Sequence, residues 1–527
     1  MTATLTVPAT RGTPPKDLEI RPKQVKAWID ALPLAQSVDA ARQIRDHVTA
    51  LNRSKVEGDD RIQILQNYRS VVAVVLEELE AIYAKSAIPL PTRARDALSI
   101  ARDLASQVAT GYTIAASEMA SKILSFGAKK QIPLLLYRSM EYLNAVLRSS
   151  YKSYTPVPEG VWRALHEIYL YSESEGFVAE PADPETKATI LEAYTESLLL
   201  ALTDPYRLSP GELDRVLVQL RAVKVPVPLG QTKLTSRPTA HFLVPCDTDK
   251  PPKPALSAAN DKGGNQWRLL DANPLVERLR AKKKAFDSGQ VSAAQKQAMG
   301  TDAVVLLPKL ITLWGDPPKR ASRRDDMDTS VAVCVGLRAV SHYVGLEPRT
   351  DPKAEAEKIE RGITIPLIAF QQDENSKSFP VNEWEVVNQS EGGLKVRRTA
   401  PALQQMSVGE IVGVKLMGRP RWTIGMVRWI TVLEEGGLEF GVQFIATAAR
   451  PASILPTIAA AGTESRPALI VNEALPWGGK ETLITSANTF SDLREFEIED
   501  PEKLFTVRAT SLYEKTGRYE IFAFAPS

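Results

Sequence analysis

The chain has 527 residues, of which 44% are apolar, enough for about three domains with sizeable cores. Its 65 basic and 63 acidic side chains leave a net charge of +2, which argues against a whole-protein affinity for nucleic acid or anionic membrane. Any anion-binding function therefore has to come from a local cluster.

Residues 1–20 read as a disordered tail. Met1 to Pro15 is rich in Thr, Pro and Ala and lacks the basic region and apolar core of a secretory signal. Residues 21–223 read as a helical domain. Ile62, Leu65, Val72, Val75, Leu76, Leu79 and Ile82 recur at three- and four-residue spacings, with Glu77, Glu78 and Glu80 between them. The stretches 131–150, 160–173 and 184–203 repeat the pattern, and an irregular bundle or a helical-repeat scaffold would satisfy it. A helix start is written at Leu208–Leu213. Ser209 is the expected cap, Pro210 suits the first helical position, Glu212 would complete a capping box, and Leu208 and Leu213 are placed for a hydrophobic staple.

Residues 224–317 read as a linker with short helical segments. The prolines of 225–228 and 249–254 and the Asp-Lys-Gly-Gly of 261–264 are loop chemistry. A helix over about 273–287 carries Arg278, Arg280, Lys282, Lys283 and Lys284. Such a run can meet RNA, DNA or phospholipid, but is more simply a solvated helix face. From about 330 the pattern becomes β. Val331–Val335, Thr423–Ile430 and Leu438–Ile445 are expected strands, the last two joined by a hairpin turn at Glu434–Gly437. Residues 350–378 are charged and interrupted by Pro, and read as a loop or disordered insert. Leu504–Ser511 and Arg518–Phe524 form another expected hairpin. Residues 451–527 are thus a β-rich extension that either joins the strands before it or stands apart from them.

Two segments carry chemistry. Lys319-Arg-Ala-Ser-Arg-Arg324 holds Arg320, Arg323 and Arg324 just after a Gly-Asp-Pro-Pro breaker. Further on, Trp384–Val387 leads into Asn388-x-Ser390-x-x-Gly393, with Gly392 beside Gly393. Arginine offers a planar fork to phosphate and to the O6/N7 edge of guanine, and its plane stacks on bases. Asn and Ser can bond a guanine edge, a phosphate or their own turn. The paired glycines are expected to allow positive φ and to leave room for a ligand.

Arg-x-x-x-Arg followed by Asn-x-Ser-x-x-Gly resembles the signature of the PilZ family. Val408–Leu416, Val427-Arg-Trp429 and Phe440–Phe444 resemble that family's later strands, in the expected order. The resemblance covers roughly residues 318–450, about a quarter of the chain. It implies a PilZ-like antiparallel β-barrel that binds the bacterial second messenger cyclic di-GMP. Arg320, Arg323 and Arg324 would hold phosphate and guanine, and Asn388, Ser390, Gly392 and Gly393 would shape the surface against the other base. Sixty-three residues separate Arg324 from Asn388, a longer gap than the family pattern leads one to expect, which a looped-out 350–378 would absorb. If it does not loop out, Arg397 and Arg398 are the fallback cations, with an exposed strand end as their plainer role. Trp384 and Trp429 could stack on guanine, but core packing is the simpler reading.

The overall expectation is a multidomain α + β chain: a helical half, a PilZ-like barrel and a β-rich tail. Its function would be that of a cytoplasmic cyclic di-GMP receptor whose arginine segment is fastened onto the barrel by ligand. The helical half would meet an unknown protein partner, with output in motility, pili or biofilm control by family analogy. The alternative is a PilZ-like interaction scaffold that binds no nucleotide. A third reading is a nucleic-acid binder using 278–284 and 319–324, against which the near-neutral charge speaks. Two cysteines, Cys246 and Cys334, exclude a disulfide framework and a four-cysteine zinc site, and they suit a reducing compartment. His47, His166, His241 and His342 are scattered, so no metal site is expected. The chain carries no phosphate loop, Gly-x-Ser-x-Gly or His-Glu-x-x-His motif, and no stretch of about 18 apolar residues, so neither an enzyme nor a membrane-spanning helix is expected.

Overall fold

In the computed structural model the described residues are 4–9, 12–121, 131–231, 239–255, 266–292, 294, 305–317, 325–347, 378–400, 404–416, 419, 421–433, 436–458, 464–472, 474–478 and 481–527. The chain divides into two compact units, Met1–Ser86 with Leu90–Lys319, and Ala87–Pro89 with Arg320–Ser527.

The first unit opens with α1 (Pro22–Asp30), α2 (Ser37–Arg53), α3 (Gly58–Tyr83), α4 (Thr92–Ser121), α5 (Ile132–Lys152), α6 (Val161–Ser174), α7 (Ile190–Ala201) and α8 (Glu212–Val223). The stripe read from the sequence is the buried face of α3: Ile62, Leu65, Val72, Val75 and Leu79 are all inside. Helix α4 turns a row of small residues inward, among them Ala94, Ala97, Ala101, Ala105 and Ala109, and packs against α2, α3 and α5. Small side chains let helix axes approach closely, and Gly111 marks the tightest place. A Cβ there would lie 2.9 Å from Asn52 Oδ1 and from Leu65 Cδ2.

The helix start expected at Ser209 is only partly formed. The Ser209 amide donates to Glu212 Oε2 at 2.9 Å, but no side chain caps α8, which begins at Glu212 after Gly211 at φ +78°. The glycine takes a left-handed step that puts the Ser209 hydroxyl out of capping position. A complete capping box stands instead at α7. Thr189 Oγ1 accepts the Glu192 amide at 3.1 Å, and Glu192 Oε2 accepts the Thr189 amide at 2.9 Å.

The region read as linker is a packed layer. Strands β1 (Leu229–Gly230), β2 (His241–Pro245), β3 (Lys253–Pro254) and β4 (Trp267–Asp271) form a sheet in the order β1-β4-β2-β3, followed by α9 (Asn273–Asp287) and α10 (Leu307–Gly315). Polar anchors tie this layer to the helices. Asp249 accepts the amides of Gly160 and Arg163 at 2.6 and 2.9 Å, at the amino end of α6. The buried Trp314 donates to the Leu199 carbonyl at 3.0 Å. Proline and glycine marked the turns of this layer, but its short strands were too brief to show a period. In α9, Leu275, Val276 and Leu279 face inward, while Arg280 and Lys283 pair with Glu277 and Asp287 of the same helix.

The second unit contains two closed barrels. The first has the strand order β10-β7-β6-β5-β8-β9, from β5 (Asp325–Val335), β6 (Val381–Ser390), β7 (Gly393–Arg398), β8 (Ile411–Lys415), β9 (Thr423–Val432) and β10 (Leu438–Ala446). The second has the order β11-β12-β13-β16-β15-β14, from β11 (Arg450–Pro456), β12 (Arg466–Val471), β13 (Thr482–Ser486), β14 (Glu495–Glu499), β15 (Leu504–Lys515) and β16 (Tyr519–Pro526). The C-terminal extension is therefore a barrel of its own. A helix that follows β5, α11 (Leu337–Gly345), packs on β5, β8, β11 and β12. Its Val340 and Val344 share one apolar core with Ile411, Trp422 and Ile424 of the first barrel and Leu469, Val471 and Ile484 of the second. Closure pairs both edges in each of these two barrels, so among the described residues neither barrel presents an open strand edge.

Candidate ligand site

The Asn-x-Ser-x-x-Gly segment sits where three strands of the first barrel meet. Strand β6 pairs antiparallel with β5 on one side, with Asp325 opposite Gln389 and Asp326 opposite Asn388. On its other side it pairs with β7, with Asn388 opposite Lys395 and Ser390 opposite Gly393. Both ladders slip here, between Asp326 and Thr329 and between Val386 and Asn388. A bulge bends a strand and re-aims the side chains beyond it. Before the slip, Trp384 and Val386 are buried. Beyond it, Asn388, Gln389 and Ser390 are all half-buried at the barrel surface.

Asn388 and Ser390 thus belong to the strand itself, and Glu391 and Gly392 alone form the two-residue loop. Ser390 Oγ donates to the Gly393 carbonyl at 3.2 Å, and the Gly392 carbonyl accepts the Phe444 amide at 2.9 Å. The expectation of positive φ at the paired glycines is corrected, because neither is among the residues with φ in that region. Gly393 is required for a different reason. A Cβ there would lie 2.2 Å from the Val442 carbonyl oxygen, so β7 and β10 could not approach. At Gly392 a Cβ would meet nothing within 4 Å, and the loop is open above it.

The adjoining outer face is built by alternation. On β7, Leu394 and Val396 point inward and leave Lys395 and Arg397 outside. Opposite Lys395 stands Gly441, and opposite Gly441 stands Trp429. A Cβ on Gly441 would lie 2.1 Å from Trp429 Nε1, so the missing side chain lets the indole lie flat across β10. Lys395 Nζ sits 5.8 Å from the centre of that ring. Trp384 is only 1% exposed and packs edge-on against Phe440 at 4.7 Å, which makes it a core residue. Trp429 is half-buried on the outer face, and with Lys395 it is the part of this surface that motif reading did not assemble. The clue was Phe440-Gly-Val442, where alternation puts a glycine outward between two inward residues.

Among the described residues two carboxylates serve the cations of this face. Lys395 and Arg397 both reach Glu439, each at 2.8 Å. Arg398 donates to Asn382 Oδ1 at 3.0 Å, and Arg428 pairs with Glu514 at 2.9 Å. Arg397 and Arg398, the fallback cations, thus each have a partner within the barrel. Asn388 Oδ1 is different: it is shielded from solvent and has no hydrogen-bond donor among the described residues. An acceptor left so carries a desolvation cost of about 1–3 kcal/mol unless a donor arrives.

Arg320, Arg323 and Arg324 lie outside the described residues. The place where that segment joins the barrel is described. Asp325 follows Arg324 directly in the chain, and its partner across the ladder is Gln389, between Asn388 and Ser390. The long gap in sequence does not keep β5 from β6, whose pairing runs from Asp325–Gln389 to Cys334–Val381. Helix α11 occupies part of that gap, and the expected insert at 350–378 falls outside the described residues except for Ser378. Among the described residues no group of three or more His, Cys, Asp or Glu could hold a metal ion.

The sequence profile described as the N-terminal domain of the cyclic-di-GMP receptor FimW matches residues 23–229. The profile described as the middle PilZ domain of that receptor matches residues 241–350 and 349–451. The cyclic-di-GMP receptor FimW of Pseudomonas aeruginosa is 24% identical to this chain, over 86% of this chain and 84% of that protein. No solved structure matches. A six-stranded barrel with Asn388, Ser390 and Gly393 at its β6–β7 corner, matched to that profile over residues 241–451, places this part of the chain in the PilZ-domain family.

Proposed function

We propose that this protein is a cyclic di-GMP receptor that couples the messenger to a protein partner. The observation that carries the reading is Asn388 Oδ1, a shielded acceptor without a donor among the described residues, beside the point where the arginine segment enters the barrel. A guanine offers N–H donors to such an oxygen. Arg320, Arg323 and Arg324 supply the cations for phosphate and base, while Lys395 and Arg397 share Glu439 and Arg428 faces Glu514. Ser390 and Gly393 hold the corner, Gly392 keeps it open, and Trp429 offers a face for a base.

The protein acts as a receptor without catalysis, in the cytoplasm, and the helical half is the surface for its partner. No described helix is long and apolar enough to cross a membrane. Output in pili, motility or biofilm control follows by family analogy.

Calorimetric titration of the full chain with cyclic di-GMP, beside Arg324→Ala and Ser390→Ala, tests the reading. Wild type should bind. Loss of one bidentate arginine contact costs about 1–3 kcal/mol, or roughly 5- to 150-fold in affinity. Equal binding by wild type and Arg324→Ala would move the cation role away from this segment. No binding at high ligand concentration would make the barrel an interaction scaffold.

A further inference from the structure

A second cleft, of 610 Å³, opens in the second unit between the two barrels, and its lining shares no residue with the face around Asn388. Arg338 and the amino end of α11 come from the first barrel's side. Arg466, Ser486, Arg518 and Tyr519 come from the second barrel. Its volume falls within the span of small-molecule pockets, roughly 300–1,000 Å³.

The charges in its wall do not balance. Among the described residues Glu410 is the one carboxylate that lines it, and that carboxylate is already engaged. It accepts the Tyr519 hydroxyl at 2.6 Å and lies 3.4 Å from Arg518. Arg338 and Arg466 are exposed, and neither guanidinium has a partner among the described residues. Two positive charges are therefore left over around one opening.

Backbone donors add to them. Helix α11 starts after Gly336, at φ +94°, and no side chain caps it. The Leu337 amide donates to Tyr519 Oη at 3.3 Å, but the amides of Arg338 and Ala339 have no acceptor among the described residues. First-turn amides and the helix dipole both favour an anion. Phe379 and Pro467 give the cleft an apolar side as well.

We propose that this cleft is a second ligand site, for a small phosphorylated molecule. A phosphate monoester carries about −1.5 to −2 charges at neutral pH and three acceptor oxygens. That matches two unpaired guanidiniums and two open amides, while the rest of the volume takes the organic part against Phe379 and Pro467. Because both barrels line the cleft, such a ligand would fix one barrel against the other through a site separate from the cyclic di-GMP face.

The test is calorimetric titration of phenyl phosphate into the full chain carrying Arg320→Ala/Arg324→Ala, which silences the first proposed site. Saturable binding at one site is expected. Adding Arg338→Ala/Arg466→Ala should weaken it by about tenfold or more. Both are exposed side chains, and an unchanged circular dichroism spectrum and melting temperature would show that the fold is kept. Absence of saturable binding, or binding indifferent to Arg338 and Arg466, overturns the proposal. Binding by wild type that disappears with Arg320 and Arg324 also overturns it, since the anion then belongs to the first site. Failure of cyclic di-GMP to bind wild type would leave this result standing, so the two readings fail separately.

Discussion

Asp325 stands directly across the β5–β6 ladder from Gln389, one residue from both Asn388 and Ser390. Arg324 precedes Asp325, so an arginine with sixty-three residues between it and Asn388 is joined directly to the residue that faces the corner across the ladder. A β-ladder brings distant segments within about 5 Å whatever the connection between them, and the cost of a longer loop rises only slowly with its length.

The glycines of that corner should respond differently to the same change. Gly393→Ala forces a Cβ against the Val442 carbonyl and should cost about 1–3 kcal/mol as the β7–β10 ladder shifts. Gly392→Ala meets nothing and should stay within about 0.5 kcal/mol of wild type. Urea unfolding followed by tryptophan fluorescence compares the two. Equal midpoints for both variants would refute the close approach.

In the helical half, Thr189→Ala removes the acceptor for the Glu192 amide and breaks the reciprocal box. The expected loss is about 1 kcal/mol, with roughly 0.5–2 the usual span. Ser209→Ala should cost less, because its hydroxyl does not cap α8. Thermal melts monitored at the helical ellipticity can rank the pair, and the reverse order would contradict the assignment of the caps.

Both thiols should be silent in the folded protein. Burial pushes Cys246 up to about 11 and Cys334 up to about 12, so each is protonated at pH 8, and both are shielded. A chromogenic disulfide reagent should count no thiol in native buffer and two in guanidinium. Rapid reaction of either before unfolding would show that its cavity is open.

Glu410 should make stability depend on pH. Burial raises its carboxyl above the ordinary value of 4.5, against the lowering effect of the Tyr519 hydroxyl and the Arg518 charge. A raised folded-state value means that protonation favours the fold. The contribution is complete below the unfolded value near 4.5 and disappears as pH climbs through the folded value. Glu410→Gln should therefore gain on wild type as pH rises from about 4.5, and then run parallel to it. A difference that stays constant with pH would mean that Glu410 titrates normally.

Periodicity and residue type determined the class of each half. The Ile62–Leu79 stripe is legible as a buried helix face because helical side chains recur every 3.6 residues. The segments 423–430 and 438–445 are legible as strands from their β-branched and aromatic residues on either side of a turn. The corner motif was legible too, since Asn, Ser and Gly in that order are short-range chemistry. What needed the tertiary structure lay in contacts between segments far apart. Gly393 is required by the Val442 carbonyl rather than by its own φ, and no local pattern contains Val442. The short strands of 229–271 become a sheet through pairings such as Leu229 with Leu270 and Leu243 with Lys253, partners that no local pattern names. Residues 451–527 close on themselves as a second barrel because Ser453 pairs with Glu499 and Thr482 with Ala523. Strand propensity is a property of each segment, but the partner that completes its hydrogen bonds is chosen by packing and closure of the whole sheet.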